Sequence, residues 1–258
     1  MCYIIIFKIL LYNTSVAMIV INIVILLTII FIALFIYIKN QKILVAICCI
    51  DERVIELQNC IKHLNTNDVL TKDIIGLFRK KDIKCKETLK NNYLEVNDYE
   101  LSTTTRHNLI GIINKRNSAL DYARNNKYDK LIFIDSDIEV NHFTLLYLLL
   151  GTIFADISCV AYPIRWANML PIIGFDNPLS IQIVNYGLIP FQKCYIAGMG
   201  CTCIDIKSNK IPEKFIYGKI VGKDSYTVFG EDIGFFIEAK KKNALVVVSK
   251  WSIVNHKY

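Results

Sequence analysis

The sequence predicts an α/β domain with a largely parallel sheet, preceded by an apolar N-terminal helix. Three observations predict it. Short, largely apolar runs recur at 43–49, 130–134, 157–162 and 244–249, as strands buried on both faces do. Segments with helical periodicity separate them, and strands alternating with helices build parallel sheets. Ahead of these, Val16 to Ile38 carries no charged side chain.

The N-terminal run comes first. Between 16 and 38 the polar side chains are Asn22 and Thr28. As a helix it spans roughly 35 Å, enough to cross a bilayer. It ends in Tyr37-Ile38-Lys39-Asn40, without the small-residue cleavage site of a signal peptide, so a retained single-pass anchor is expected. Tyr3 to Leu11, broken by Lys8, extends this anchor or lies in the interface. The expected division is therefore an anchor at 1–41 and an α/β domain at 42–258. Lys8 lies on one side of the span and Lys39 and Lys42 on the other, a balance that leans only weakly toward a cytoplasmic body.

Within the domain, Lys42 to Cys49 reads as a central parallel strand. Asp51 to Leu64 places Val54, Leu57, Ile61 and Leu64 on one helical face. Residues 65–92 are polar and Lys-rich, with weak helical segments, and 92–101 holds a second strand and a loop. Leu109 to Asn126 reads as a helix, and Lys130 to Ile134 as a strand that stops at Asp135. A helix at 142–150 and a strand at 157–162 follow. Residues 163–194 hold four of the five prolines and read as irregular excursions. Tyr195 to Ile206 is a strand interrupted by Gly198 and Gly200. A helix at 231–242 and a strand at 244–249 complete the pattern.

Composition narrows the function. Thirty basic side chains against 23 acidic ones give a formal charge of +7. The basic residues form no long block; Arg79-Lys80-Lys81 and Lys240-Lys241-Lys242 are the densest clusters. They read as solvated faces, so no nucleic-acid partner is expected. The mild positive balance suits an anionic ligand or a membrane surface. Nine cysteines are present without a Cys-x-x-Cys pair, which argues for buried free thiols over a zinc site.

The chemistry centres on Asp135-Ser136-Asp137. In open α/β sheets ligands bind beyond the carboxyl ends of the strands. Two carboxylates two positions apart, leaving such an end, can converge on one hard cation, and Mg²⁺ or Mn²⁺ takes oxygen ligands together with substrate phosphates. Glu139 extends the acidic cluster or faces solvent.

Asn114 to Leu120, followed by Leu131 to Ile138, resembles GT-A glycosyltransferases, which often carry an Ala-Arg-Asn helix before a hydrophobic strand ending in Asp-x-Asp. Later segments match in order: the Tyr-Pro strand end at Val160 to Ile164, the Gly-rich strand at Ala197 to Cys201 with Ile204 to Ile206, and the acidic pair at Gly230 to Phe236. The likeness covers about 43–258 and is similar to glycosyltransferase family 2, the yeast Golgi mannosyltransferase-like family and small viral and phage enzymes. Lys115 departs from the usual Ala, and Cys201 and Cys203 from the usual residues of the Gly-rich strand.

This resemblance implies a GT-A-type three-layer α/β/α nucleotide-diphospho-sugar transferase fold. It implies transfer from a nucleotide-sugar donor to a glycan, lipid or protein hydroxyl, with Mn²⁺ or Mg²⁺ held by Asp135 and Asp137. His256 falls where such enzymes often place a further metal ligand; it is otherwise a terminal histidine. Arg116 reads as a donor contact or a helix-surface cation, and Asn117 as a donor contact or a bridge to a neighbouring loop. Gly198 and Gly200 read as a bulge or as sites of close approach by substrate. Glu231 and Asp232 read as charges favoured at a helix N-terminus, or as the general-base pair of an inverting transfer, with Asp232 the base. Two rival readings are a non-catalytic membrane-tethered binding protein and a haloacid-dehalogenase-like phosphatase. The phosphatase motif lies on the first strand of its domain, whereas Asp135 comes about ninety residues after the first strand here.

Overall fold

The computed structural model describes residues 2–66, 70–97, 105–141, 143–162, 172–174, 181–183, 190–221 and 226–256. The chain divides into two compact units, Met1–Gln41 and Lys42–Tyr258. The first is one helix, α1 (Cys2–Lys39). Its stretch Met18–Lys39 is long and apolar enough to cross a membrane, and none of the most apolar window is buried within the protein.

The second unit runs β1 (Ile43–Cys48), a single 3-10 turn (Asp51–Arg53), α2 (Val54–Asn65), β2 (Lys72–Arg79), α3 (Ile83–Leu89), β3 (Tyr93–Val96), α4 (Thr105–Asn125), β4 (Lys130–Asp135), β5 (Ile138–Glu139), α5 (Thr144–Phe154) and β6 (Ile157–Ala161). It continues with β7 (Ile172–Gly174), β8 (Ile181–Ile183), β9 (Phe191–Cys194), β10 (Cys201–Asp205), β11 (Gly218–Val221), β12 (Tyr226–Phe229), α6 (Glu231–Lys241), β13 (Val246–Ile253) and β14 (Asn255–His256). Eight strands form the main sheet in the order β3-β2-β1-β4-β10-β6-β13-β9.

Side-chain alternation explains the three layers. On one face Leu44, Ala46, Leu131, Phe133, Ile157 and Cys159 pack with Ala119, Leu120 and Ala123 of α4 and with Phe235, Phe236 and Ala239 of α6. The intervening residue Ser158 faces α5, where a Cβ on Gly151 would lie 2.0 Å from the Ser158 Oγ; the missing side chain lets helix and strand touch. At the sheet's β2 side, Asp51 accepts the N–H groups of Lys84 and Cys85 at 3.2 and 2.9 Å, holding the start of α3 against the turn after β1.

The structure differs from the sequence expectation in three places. Residues 72–79 form β2, a full parallel partner of β1, rather than part of a weakly helical tract. Its Lys-Asp start and Gly76 hide the strand, and a Cβ at Gly76 would lie 2.0 Å from the Phe78 ring that folds over it. Within 163–194, residues 191–194 form the edge strand β9 and 172–174 pairs with 181–183 as the antiparallel β7–β8, rather than irregular excursions throughout. The sheet is also mixed: β10 runs antiparallel between β4 and β6, and β9 antiparallel to β13. Eight cysteines are free and none is in a disulfide among the described residues.

Candidate active site

The sheet topology assembles the site before any side chain is considered. Cys48 of β1 stands in register with Asp135 of β4, so both strands end at one edge. Because β10 is antiparallel to β4, its start arrives at that same edge. The Asp135 N–H donates to the Gly200 carbonyl at 2.8 Å. β14 pairs with β5, which puts the His256 backbone opposite Ile138, one residue beyond the Asp-Ser-Asp motif. The side chain of His256 lies outside the described residues.

Gly200 sets how close β10 can come. A Cβ there would lie 2.5 Å from the Asp135 Oδ2 and 2.9 Å from the Ile138 Cδ1. At Gly198 a Cβ would lie 2.1 Å from the Tyr162 hydroxyl. That hydroxyl accepts the Gly200 N–H at 3.0 Å and fixes the strand start from the other side. The glycines therefore serve close packing of protein on protein around Asp135. Tyr162, at the end of β6, belongs to this set although the sequence showed it only as part of a Tyr-Pro strand end.

The Lys115-Arg116-Asn117 run ties α4 to four separate parts of the chain. Lys115 is buried and its ammonium donates to the Cys49 carbonyl at 2.6 Å, just past β1. Burial lowers its pKa. Arg116 is also buried; its Nη1 donates to the Glu231 Oε1 at 2.6 Å and its Nη2 to the Asp135 Oδ1 at 3.3 Å. The guanidinium stands 5.7 Å from the Phe133 ring centroid and 6.0 Å from that of Phe215, a cation over aromatic faces. Asn117 donates to the Phe215 carbonyl at 3.1 Å and accepts the Phe215 N–H at 2.6 Å. It thereby holds the ring beside Arg116, and Phe215 in turn stacks on Phe235 of α6 at 4.2 Å.

The sequence leaves each residue two readings: a donor contact or a helix-surface cation for Arg116, and a donor contact or a loop bridge for Asn117. The Arg116 side chain is only 5% exposed, so it is no surface cation, and its charge faces two carboxylates. Asn117 bridges to a neighbouring loop. One edge of it also borders an open polar cleft of about 320 Å³ lined by Glu95, Asn97, Asn114, Ser118 and Asp121.

The acidic residues differ in environment. The Asp135 side chain is 35% exposed. Burial of its carboxyl raises its pKa, Arg116 pulls it back, and Asp137 and Glu231 push it up again. Asp137 is 10% exposed, and Arg53 Nη1 lies 2.5 Å from its Oδ2. Each carboxylate of the motif thus has its own arginine. Glu231 and Asp232 open α6 behind Gly230. Glu231 takes the Arg116 bond, while Asp232 accepts the Ile233 N–H at 2.8 Å. Burial pushes Asp232 above the usual carboxylate range; Arg116 and the Ile233 N–H draw it part way down. Glu139 lies beside His63, with Nε2 to Oε1 at 3.6 Å.

Among the described residues no group of three or more His, Cys, Asp or Glu side chains converges as a metal cage. Asp135 and Asp137 nevertheless offer hard oxygen donors at one strand end. Two carboxylates completed by substrate phosphates fit the way Mg²⁺ is usually held. The donor set fits such a cation, with Arg53 as the charge now on Asp137.

Compared with family models and with curated proteins, the sequence gives no match. Solved structures share the fold. S. aureus TarS residues 1–349 has a TM-score of 0.50 at 16% identity, covering 84% of this chain and 60% of that one. Its complex with UDP-GlcNAc has a TM-score of 0.50 at 13% identity, covering 84% and 59%. A mycobacterial protein has a TM-score of 0.50 at 11% identity, covering 87% and 70%. The chain spans about three fifths of the TarS structures. At these identities the likeness is one of architecture: a three-layer α/β/α fold of the GT-A type.

Proposed function

We propose that this chain is a metal-dependent glycosyltransferase that moves a sugar from a nucleotide-sugar donor to a hydroxyl of a glycan, lipid or protein acceptor. One observation carries the reading. Asp135, at the tip of a central strand, is joined through Arg116 to Glu231, the neighbour of Asp232. A candidate cation ligand and a candidate base are thus fixed in one rigid unit. The fold is shared with a protein solved with UDP-GlcNAc, which supports a nucleoside diphospho-sugar as donor.

Asp135 and Asp137 would hold Mn²⁺ or Mg²⁺, with His256 a further candidate ligand; the ion supplies charge to the departing diphosphate. The protein's own groups do the rest. Arg116 orients Asp135 and opposes the upward push that burial gives the Glu231 carboxyl beside Asp232. In an inverting transfer the acceptor oxygen bonds to the anomeric carbon as the bond from that carbon to the diphosphate breaks. The hydroxyl proton passes to the Asp232 carboxylate, whose raised pKa makes it a stronger base than an ordinary aspartate. The N-terminal helix would hold the enzyme at a membrane, with the domain at 42–258 as the catalytic body.

The test is a panel of nucleotide sugars incubated with the purified protein and Mn²⁺, reading released nucleoside diphosphate. Release from one donor, abolished by chelator and restored by Mn²⁺, is the expected result. No release from any donor, together with no cation binding, favours the non-catalytic binding protein.

A further inference from the structure

Arg53 belongs to no motif in the sequence, yet its guanidinium sits on Asp137 at 2.5 Å. It follows β1 at the junction of the 3-10 turn and α2, on the strand-end edge that carries Asp135. The pair is asymmetric in its exposure: the arginine side chain is 31% accessible and the aspartate 10%. Solvent therefore reaches this ion pair from the arginine end, and Asp137 is the among-protein end. Asp137 is the only partner of the Arg53 guanidinium among the described hydrogen bonds and ion pairs.

A divalent cation on Asp137 would meet a positive charge already in place, and the two repel at that distance. Arg116 presents no such conflict, because it is buried and fastened to Glu231 as well. Arg53 has no second anchor of this kind. A released guanidinium at this edge would face the place where a diphosphate must lie, and its planar fork matches phosphate oxygens.

We infer that Arg53 is an exchangeable internal counter-ion: it holds Asp137 while no cation is bound, yields that carboxylate to the cation, and then pairs with the donor's diphosphate. This rests on the glycosyltransferase reading of the site. Cation and nucleotide binding are thereby coupled through one side chain, so each strengthens the other.

The experiment titrates the full-length protein with Mn²⁺ and follows the free ion by electron paramagnetic resonance, with and without saturating UDP. Wild type, R53Q and R53K are compared, their folds checked by melting temperature. Without UDP, R53Q is expected to bind Mn²⁺ about tenfold more tightly than wild type, and R53K about as wild type does. With UDP, the advantage of R53Q shrinks, because wild-type Arg53 has found the phosphates. Equal or weaker Mn²⁺ binding by R53Q without UDP overturns the exchange. An undiminished tenfold gap with UDP overturns the pairing with diphosphate. Sugar-nucleotide turnover is read in the same preparations: turnover without any effect of Arg53 on Mn²⁺ defeats this inference alone, and the Mn²⁺ effect without turnover of any donor defeats the glycosyltransferase reading alone.

Discussion

Arg116 holds the candidate site together. Its two carboxylate partners lie on different elements, β4 and α6; without it Glu231 would be left as a buried negative charge and Asp135 would lose its neutralising partner. Arg116→Met is expected to lower stability by about 3–5 kcal/mol, because breaking a buried pair strands its partners. Arg116→Lys keeps the charge but loses the fork, so a protein that folds yet turns over slowly is expected. Urea unfolding and steady-state rates on both variants check this. Gly200→Ala pushes a methyl at the Asp135 carboxylate, whose tip can rotate away. Activity is expected to fall about 100-fold, as small displacements at a reacting centre do, with the melting temperature nearly unchanged. For Asp232 the sign is simple: a base works ionised, and burial raises its pKa. The rate should therefore fall away on the acid side at a higher pH than an ordinary aspartate would give. Asp232→Asn should lower kcat/KM by about 10²–10⁴ and remove that acid limb. At this scale the strand-end position of Asp135 and the helix-start position of Asp232 were legible, since an apolar run stopping at an acid and an acidic pair behind a glycine stand out. Arg53 was not, because its partner is 84 positions away in sequence and no local pattern marks it.

The elements show where sequence patterns run out. β1, β4 and β6 were legible as apolar runs because both of their faces are covered. β2 was not, since its first residues are exposed or half-buried and only its last five are buried. β9 is short and sits at the sheet edge, with its exposed Lys193 in mid-strand. The direction of β10 was illegible for a different reason: burial of alternate residues looks the same in parallel and antiparallel strands. Its reversal is what brings Gly198 and Gly200 to the edge where β4 ends. Gly76 gives a test at this scale. Gly76→Val drives a branched side chain into the Phe78 ring and Leu89, and a loss of about 1–3 kcal/mol is expected. Unfolding should show this at the β2–α3 contact while donor binding in the surviving folded fraction stays near normal.

At the scale of the whole molecule, α1 and the α/β unit differ in kind. The 38-residue helix has a stretch of mean hydropathy 3.3 that is long and apolar enough to cross a bilayer, whereas Lys42–Tyr258 has its own core. Membranes from expressing cells are expected to keep the full-length chain through carbonate washing. A soluble product whose amino terminus begins near residue 40 would instead mark a removed signal sequence. The order of motifs along the chain made the GT-A architecture legible, although no one motif would have sufficed. The tie through Lys115, Arg116 and Asn117 emerges only when four separate parts of the chain are brought to one helix.

The central claim is that the Asp135–Asp137 strand end holds the ion that steadies the leaving diphosphate. Its most direct measurement is the rate of Asp137→Ala as a function of Mn²⁺, set against wild type with the same donor. The expected result is a folded protein whose turnover is lost and is no longer raised by Mn²⁺. Full turnover with an unchanged Mn²⁺ response would contradict the account.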